Sequence, residues 1–407
     1  FHESRNFTLR LFYFYTMPIQ HIVLFDGDEW ENLLPVSATR SVADIRIGIL
    51  TIKEKWEKYL KVPVSILSKD YLNPKYSFIP TVNCLFINSA VLPAHLLVEE
   101  IVNLENNSIL QNEETVIAAS VVNNVINSLN DLKSLFETIK SKKKTKQNIV
   151  KINHPWDIFT YNGQEIRNDI QLLQLKPNPE KLSSTNTLLG KYIYIEEGVQ
   201  CECSVLNTTN GPIYLGKDSE VMEGCTVRGP FALCEHASLK MQAKIYGDTT
   251  IGPHSKVGGE VSNSVLIGYS NKGHDGFLGN AVLGEWCNLG ADTNNSNLKN
   301  NYSKVSAYNY PSKKMIDTGL QFCGLIMGDH AKAAINTQFN TGTVVGVCAN
   351  VLDAGFPPKF IPDFSWGNDK IFELEKAYEV AQRVMGRRGI HLSEADKQIL
   401  NYIFEHK

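Results

Sequence analysis

No run of apolar residues in this chain is long enough to cross a bilayer, so no membrane-spanning helix is expected. An excess of charge of one sign is missing too: 40 lysines and arginines face 43 aspartates and glutamates, a formal net charge of −3. So balanced a chain gives no reason to expect a nucleic acid or an anionic membrane as partner. Cysteine is sparse, 8 in 407 residues. The one close pair, Cys201-x-Cys203, lacks the second pair or histidine cluster that a zinc site needs. Several other cysteines fall at apolar positions, as the reduced core thiols of a cytoplasmic protein do. The first sixteen residues, Phe1 to Thr16, have neither a clean apolar segment nor a small-residue cleavage site. They read as an upstream extension, with the native start at Met17.

What the chain does hold is a period of six. Leu215, Val221, Val227, Leu233, Leu239, Ile245, Ile251 and Val257 place one aliphatic residue at every sixth position. Four residues after these come Ser219, Cys225, Ala237, Ala243, Thr249 and Ser255, small except for Phe231 in the same series. The register returns at Phe277, Leu283 and Leu289, and again from Met327 to Val351. Neither a helix nor a simple strand has this period. A hexapeptide repeat marks a parallel β-helix, in which three short faces complete a coil and coils must stack to bury their apolar side. The aliphatic residue points inward, and the small one leaves room where the chain bends.

The whole chain is 43% hydrophobic and 20% charged, ordinary for a globular protein, and the part outside the repeat reads as α/β. Strand-like runs at Ile19–Phe25, Val62–Leu67, Val82–Asn88 and Thr115–Val122 alternate with helical spacing at Val42–Leu60, Pro93–Leu104 and Val125–Ile139. That alternation predicts a mostly parallel sheet covered by helices. Lys142 to Lys146 reads as a solvated loop. The expected domains are an extension at 1–16, a nucleotidyltransferase-like (Rossmann-like) α/β domain at 17–175, a linker at 176–187, the β-helix at 188–355 and a helical segment at 356–407. Asp369–Met385 and Ser393–Phe404 are the two closing helices, the second capped by Ser393 and Asp396. The period fails at 258–276 and 290–322, and loops thrown out of a rigid solenoid are where sites are usually built.

The first of these interruptions is the richest in chemistry. Gly268-Tyr269-Ser270-Asn271-Lys272-Gly273-His274-Asp275-Gly276-Phe277-Leu278-Gly279 surrounds a histidine with glycines, and Asn288, Asn294, Asn295, Asn297, Asn300 and Asn301 follow. Glycines let the backbone approach a ligand, imidazole can take a proton near pH 7, and amides can fix sugar hydroxyls. The same asparagines also suit turns, since Asn tolerates left-handed backbone.

From Gly273-His274 through Phe277-Leu278-Gly279, Asn288-Leu289-Gly290-Ala291, the chain resembles the acetyltransferase half of the bifunctional N-acetylglucosamine-1-phosphate uridyltransferase/glucosamine-1-phosphate N-acetyltransferase family. With Phe25-Asp26-Gly27, Leu33-Leu34-Pro35 and Thr39-Arg40-Ser41-Val42-Ala43-Asp44-Ile45-Arg46-Ile47-Gly48, it looks like a divergent branch of sugar nucleotidyltransferases, from about Met17 onward. The resemblance implies a left-handed β-helix, a homotrimer with sites between subunits, acetyl-CoA as co-substrate and a sugar phosphate or sugar nucleotide as partner. It implies His274 as general base, Asn288 and Asn297 on the sugar, and Phe277 where the family has a tyrosine.

Two departures touch the acceptor site. The family's lysine before the loop is Asn263 here, and its phosphate-holding arginine falls near Tyr246, with Lys244 two residues away. An anionic acceptor loses charge-assisted contacts at both places, each worth roughly 1.5–3 kcal/mol in general. Lys272 is the cation that would restore one. The first domain departs further. Where the family follows its first strand with a glycine-rich phosphate loop, Asp26-Gly27-Asp28-Glu29-Trp30-Glu31 sets one glycine among four carboxylates. The family's Mg2+-binding aspartate corresponds to Asn88, with Asp157 as a second candidate ligand and equally a helix cap. Gly27, Arg40, Arg46 and Asn88 are the residues expected to meet a nucleotide, with Mg2+ possible there.

The leading expectation is acetyl-CoA-dependent N-acetylation of an amino sugar phosphate by the β-helix. The alternatives are a sugar-1-phosphate nucleotidyltransferase whose β-helix is a trimer scaffold, and a non-catalytic sugar-nucleotide-binding protein.

Overall fold

The computed structural model describes residues 21–76, 78–113 and 115–407; the extension at 1–16 and the start of the first strand-like run lie outside them. The first domain is built from β1 (His21–Phe25), α1 (Glu29–Asn32), α2 (Ile52–Leu60), β2 (Ser65–Leu67), β3 (Asn83–Asn88) and α3 (His95–Val102), then β4 (Ser108–Asn112), β5 (Thr115–Val122), α4 (Leu129–Thr138), β6 (Ser141–Lys144) and α5 (Pro155–Leu172). β1 is apolar on both sides because both faces of its sheet are covered. Val23 and Phe25 pack with Leu129 and Leu132 of α4, whereas Leu24 belongs to the core that holds Trp56 of α2.

The sheet runs in the order β2-β1-β3-β5-β4-β6. β1 pairs parallel with β2 and β3, and β4 parallel with β6, but β5 is antiparallel to both β3 and β4. The sheet is therefore mixed. β4 and β5 are too close in sequence for a helical crossover, so they form a hairpin. The lysine run is an exposed edge strand rather than a loop, and its charges suit an edge that must not recruit another strand.

The helix expected over Val42–Leu60 is confined to its second half. Val42–Asp44 is one 3-10 turn, and α2 begins only after Thr51, whose side chain accepts from Glu54 N while Glu54 accepts from Thr51 N. Gly48, at φ +79, breaks the run, and its N–H donates to Asn162 of α5 at 2.7 Å instead of to a helical carbonyl. Val42, Ile45 and Ile49 are buried through tertiary packing, which mimicked a helical face.

The hexapeptide register builds a parallel β-solenoid of about 10 turns. Its first sheet has six strands, from Thr187–Leu189 to Phe277–Gly279; its second has nine, from Ile193–Ile195 to Phe360–Ile361; its third has ten, ending at Lys370–Ile371. Leu215 pairs with Leu233 and Leu233 with Ile251, so successive coils superpose their inward residues. These residues are wholly buried, and Ser219, Cys225, Ala237 and Ala243 fill the bends at no more than 1% exposure. Many bends are turned by residues with positive φ that are not glycine, among them Asp218, His236, His254, Tyr269, Trp286 and His330.

The two units share one core. Ile158 and Phe159 of α5 cluster with Val265, Ile267, Val282 and Ile326 on the outer side of the second sheet. Asn162 donates to Asp248 O at 2.9 Å and accepts from Thr250 Oγ1 at 3.1 Å. The interruption at 290–322 carries a hairpin, Ser306–Asn309 against Lys314–Asp317. It reaches the first domain, where Asn309 donates to Asn32 at 3.1 Å, so this hairpin acts as a strut.

α6 (Leu374–Gly386) and α7 (Glu394–Glu405) close the chain, α7 with the reciprocal Ser393/Asp396 cap. Residues 370–371 turn back antiparallel on Ser365–Trp366, so α6 starts later than its spacing suggested. Tyr402 of α7 stacks on Tyr71 at 4.1 Å, which ties the helices to the first domain. Among the described residues no helix is long and apolar enough to cross a membrane.

Candidate active site

His274 lies on the corner loop 273–276, between Asn271–Lys272 of the third sheet and Phe277–Gly279 of the first. Its side chain is exposed. Gly276 makes the corner possible: its φ is +113, and a Cβ there would collide with the carbonyl of Thr293. Its own carbonyl accepts from Glu260 N at 3.2 Å, so the loop is tied to the coil before it.

Asn294 and Asn295 hold chain, whereas Asn300 and Asn301 are exposed. Asn294 Oδ1 accepts from Phe277 N at 2.7 Å. Asn295, 3% exposed, accepts from Gly279 N at 2.8 Å and donates to Gly279 O at 2.9 Å. Both clamp the strand that leaves His274, where regular pairing of the first sheet ends. Asn288 accepts from Asn271 Nδ2 at 2.9 Å, and Asn297 donates to Asn280 Oδ1 at 2.8 Å. Asn288 and Asn297 are half-buried, and each has one amide atom engaged in these bonds.

Phe277, half-buried, lies in register with Glu260, and Glu260 with the exposed Lys244, on the outer face of the first sheet. Lys244 therefore shares a face with the residue that follows the His274 loop. Asn263 stands at the far end of the same face, at φ +46, with its Oδ1 buried and unpartnered. Lys272 is the one member of this set that the structure turns away from an acceptor. It is 2% exposed, and its ammonium donates to Gly258 O at 3.0 Å and to His274 O at 2.9 Å. Burial pushes its pKa down to about 8. The charge that was expected to meet a phosphate is spent inside the solenoid.

The nucleotide-facing set of the first domain is occupied by its own side chains. A Cβ at Gly27 would run into Glu29 and come within 3.0 Å of Asn88 Nδ2. Glu29 pairs with Lys151 at 2.7 Å, and Lys151 also donates to Thr115 at 3.0 Å. Asn88, 2% exposed, accepts from Ala90 N at 2.9 Å and donates to Val116 O at 3.2 Å. Arg40 lies at the domain junction, ion-paired to Asp329 and, at 3.4 Å, to Glu285. Arg46 donates to Ile49 O beside the α5 contact and lies on no helix.

Asp157 caps α5, accepting from Asn153 N at 2.7 Å and His154 N at 3.0 Å. Among the described residues no group of three or more His, Cys, Asp or Glu side chains could hold a metal. The donors expected for Mg2+ do not fit one: Asp157 is spent on a helix end, and Asn88 sits against an already neutralised carboxylate.

Asp26 is the other buried acid here, 1% exposed with no cation beside it. It accepts from the hydroxyls of Ser41, Ser68 and Ser89 and from Val42 N. Burial raises its pKa to about 6. An acid raised on folding stabilises the fold below its unfolded pKa and loses that contribution as pH climbs through 6. Asp26→Asn keeps the Oδ1 acceptor and lets Ser68 accept instead of donate. Thermal melts should therefore find the variant more stable than wild type at pH 8, by up to about 3 kcal/mol, with the gap closing by pH 4. A gap that widens on acidification would refute the reading.

Sequence reasoning missed the pairing of Glu29 with Lys151, and also the buried trio of Lys55 with Glu165 and Asp169 of α5. Nothing local in the sequence links partners more than a hundred residues apart.

An α/β unit is welded here to a parallel β-solenoid that carries an exposed histidine on a glycine-bounded corner. Residues 22–177 match the model of a family described as sugar nucleotidyl transferase. The bifunctional protein GlmU of Methanocaldococcus jannaschii is 28% identical over 118 residues, 29% of this chain and 26% of that protein. A bifunctional sugar-1-phosphate nucleotidylyltransferase/acetyltransferase of Sulfurisphaera tokodaii is 27% identical over 143 residues, 35% of each. The bifunctional protein GlmU of Methanococcus maripaludis is 24% identical over 195 residues, 48% of this chain and 41% of that protein. The chain thus spans less than half the length of these curated relatives. It is a divergent relative of such proteins, matched by the sugar nucleotidyl transferase model over residues 22–177.

Proposed function

We propose that the solenoid transfers acetyl from acetyl-CoA to the amine of an amino sugar phosphate or sugar nucleotide, with His274 as general base. The exposed imidazole on a loop braced from both sides carries this reading. The amine nitrogen attacks the thioester carbonyl while His274 takes its proton; the C–N bond forms, the C–S bond breaks, and the proton passes on to the leaving sulfur of CoA. Backbone N–H groups at the corner would hold the oxyanion. Asn288 and Asn297 would meet the sugar through their remaining amide atoms, beside Phe277, and Lys244 is the exposed cation for a phosphate.

In a single chain His274 stands in the open, so the walls of the site must come from elsewhere. We assign them to neighbouring copies in a homotrimer packed through the first sheet. Neither the first domain nor the closing helices cover that sheet, and it exposes Leu189 and Tyr246, each at 47%. The first domain acts as a scaffold in this reading, because Glu29, Lys151 and Asn88 satisfy one another where phosphates and Mg2+ would sit. Eight free cysteines, seven of them buried, fit a reducing cytoplasm. The family match over 22–177 favours a second reading, nucleotidyl transfer by the first domain.

The test is CoA-thiol release from acetyl-CoA with glucosamine 1-phosphate, other amino sugar phosphates and amino sugar nucleotides. Turnover with at least one acceptor is expected. Turnover with none, alongside pyrophosphate release from UTP and a sugar 1-phosphate, would replace this reading with the second.

A further inference from the structure

The inward column of the third sheet runs Leu239, Val257, Lys272, Leu289, Ala333, a lysine in the middle of an aliphatic stack. Val257 and Leu289, its neighbours in the coils on either side, are 0% and 1% exposed, and Lys272 is 2% exposed. An ammonium loses most of its hydration at such a place, at a cost only good hydrogen-bond partners can offset. Those partners are the carbonyls of Gly258 and His274, one on each of two successive turns at the same corner. Room for the ammonium is kept by Gly259, at φ +71, where a Cβ would come within 2.9 Å of Nζ and 2.7 Å of Gly276 O. The nearest carboxylates are those of Asp275 and Asp292, which offset part of the burial.

A methionine or leucine would fill the column at no electrostatic cost, so the lysine is there for its bonds. One of them ends on the residue whose imidazole is the proposed base, and the other anchors it to the preceding coil. We propose that Lys272 is a positioning residue for His274: from inside the solenoid its ammonium fixes the His274 carbonyl and so sets the direction of the imidazole outside. Lys272 itself touches neither acceptor nor acetyl-CoA. This rests on the reading of His274 as base, although the brace is a property of the loop alone.

The experiment uses the full chain with Lys272→Met, an unbranched apolar side chain one atom shorter that removes both bonds. Hydrogen exchange of the 273–276 amides should speed up at least tenfold, while exchange in the coils around Leu215–Leu233 stays as in wild type. In the acetyl-transfer assay kcat should fall at least tenfold with the KM for acetyl-CoA within twofold. Unchanged loop exchange, or a loss of activity confined to KM, overturns the proposal. Should wild type transfer no acetyl group, the reading of His274 fails and the claim about the base falls with it, while loop exchange still decides whether the brace exists. If the methionine variant does not fold, Lys272→Gln, whose shorter neutral amide can still donate but carries no charge, should show both effects at intermediate size; wild-type exchange and kcat in that variant would equally overturn the proposal.

Discussion

His274→Ala should lower kcat for acetyl transfer by about 10²–10⁴-fold, the range in which a positioned general base contributes. Because the side chain is exposed, the melting temperature should stay within a degree or two of wild type and acetyl-CoA should still bind. Loss of kcat with stability and cofactor affinity intact is the pattern of a group needed in the transition state rather than in the fold. A variant that turns over like wild type would remove the histidine from the chemistry and leave the corner loop a structural bend.

Arg40→Met should show the reverse pattern, a large loss of stability and no direct part in the reaction. Arg40 is 2% exposed and is ion-paired to Asp329, which also accepts from Thr39 and, at 2.8 Å, from Glu285 N. Removing the guanidinium strands a buried carboxylate at the junction, a change that typically costs about 3–5 kcal/mol. The pH dependence identifies the cause. Asp329 is held below the usual carboxylate range by Arg40, Thr39 and the Glu285 N–H, against its own burial. A depressed acid stabilises the fold above its unfolded pKa and loses that contribution as pH falls through the folded value. The difference between wild type and variant should therefore be full at pH 7 and shrink below about pH 4. A difference constant with pH would mean that Arg40 acts by packing alone.

Local periodicity was legible in the chain, and long-range pairing was not. The solenoid interior could be read from a lag of six because each coil repeats the same contact with the next, and the α7 cap could be read because Ser393 and Asp396 are three residues apart. The helix expected over 42–60 failed at Gly48, where a hydrogen bond to Asn162 replaced the helical one. Arg40 reads as a nucleotide-facing cation in the sequence, and its ion-pair partner Asp329 is 289 residues away.

The candidate site divides along the same line. His274 stood out through its flanking glycines. The inward turn of Lys272 sits at 258–276, where the six-residue register is interrupted and a position can no longer be phased by counting. The asparagine cluster invited a sugar-binding reading, but Asn294 and Asn295 replace strand pairing with side-chain bonds. Composition alone does not distinguish an amide that holds a ligand from one that holds a strand.

The proposed reading has the solenoid bind acetyl-CoA and the first domain serve as a scaffold. The measurement that reaches it most directly is calorimetric titration of acetyl-CoA, and separately of UTP with Mg2+, into the full chain with and without amino sugar phosphates. The account predicts heat from acetyl-CoA and none from UTP at millimolar concentration. Binding of UTP without acetyl-CoA would contradict it, make the solenoid the scaffold and reduce His274 to a corner residue.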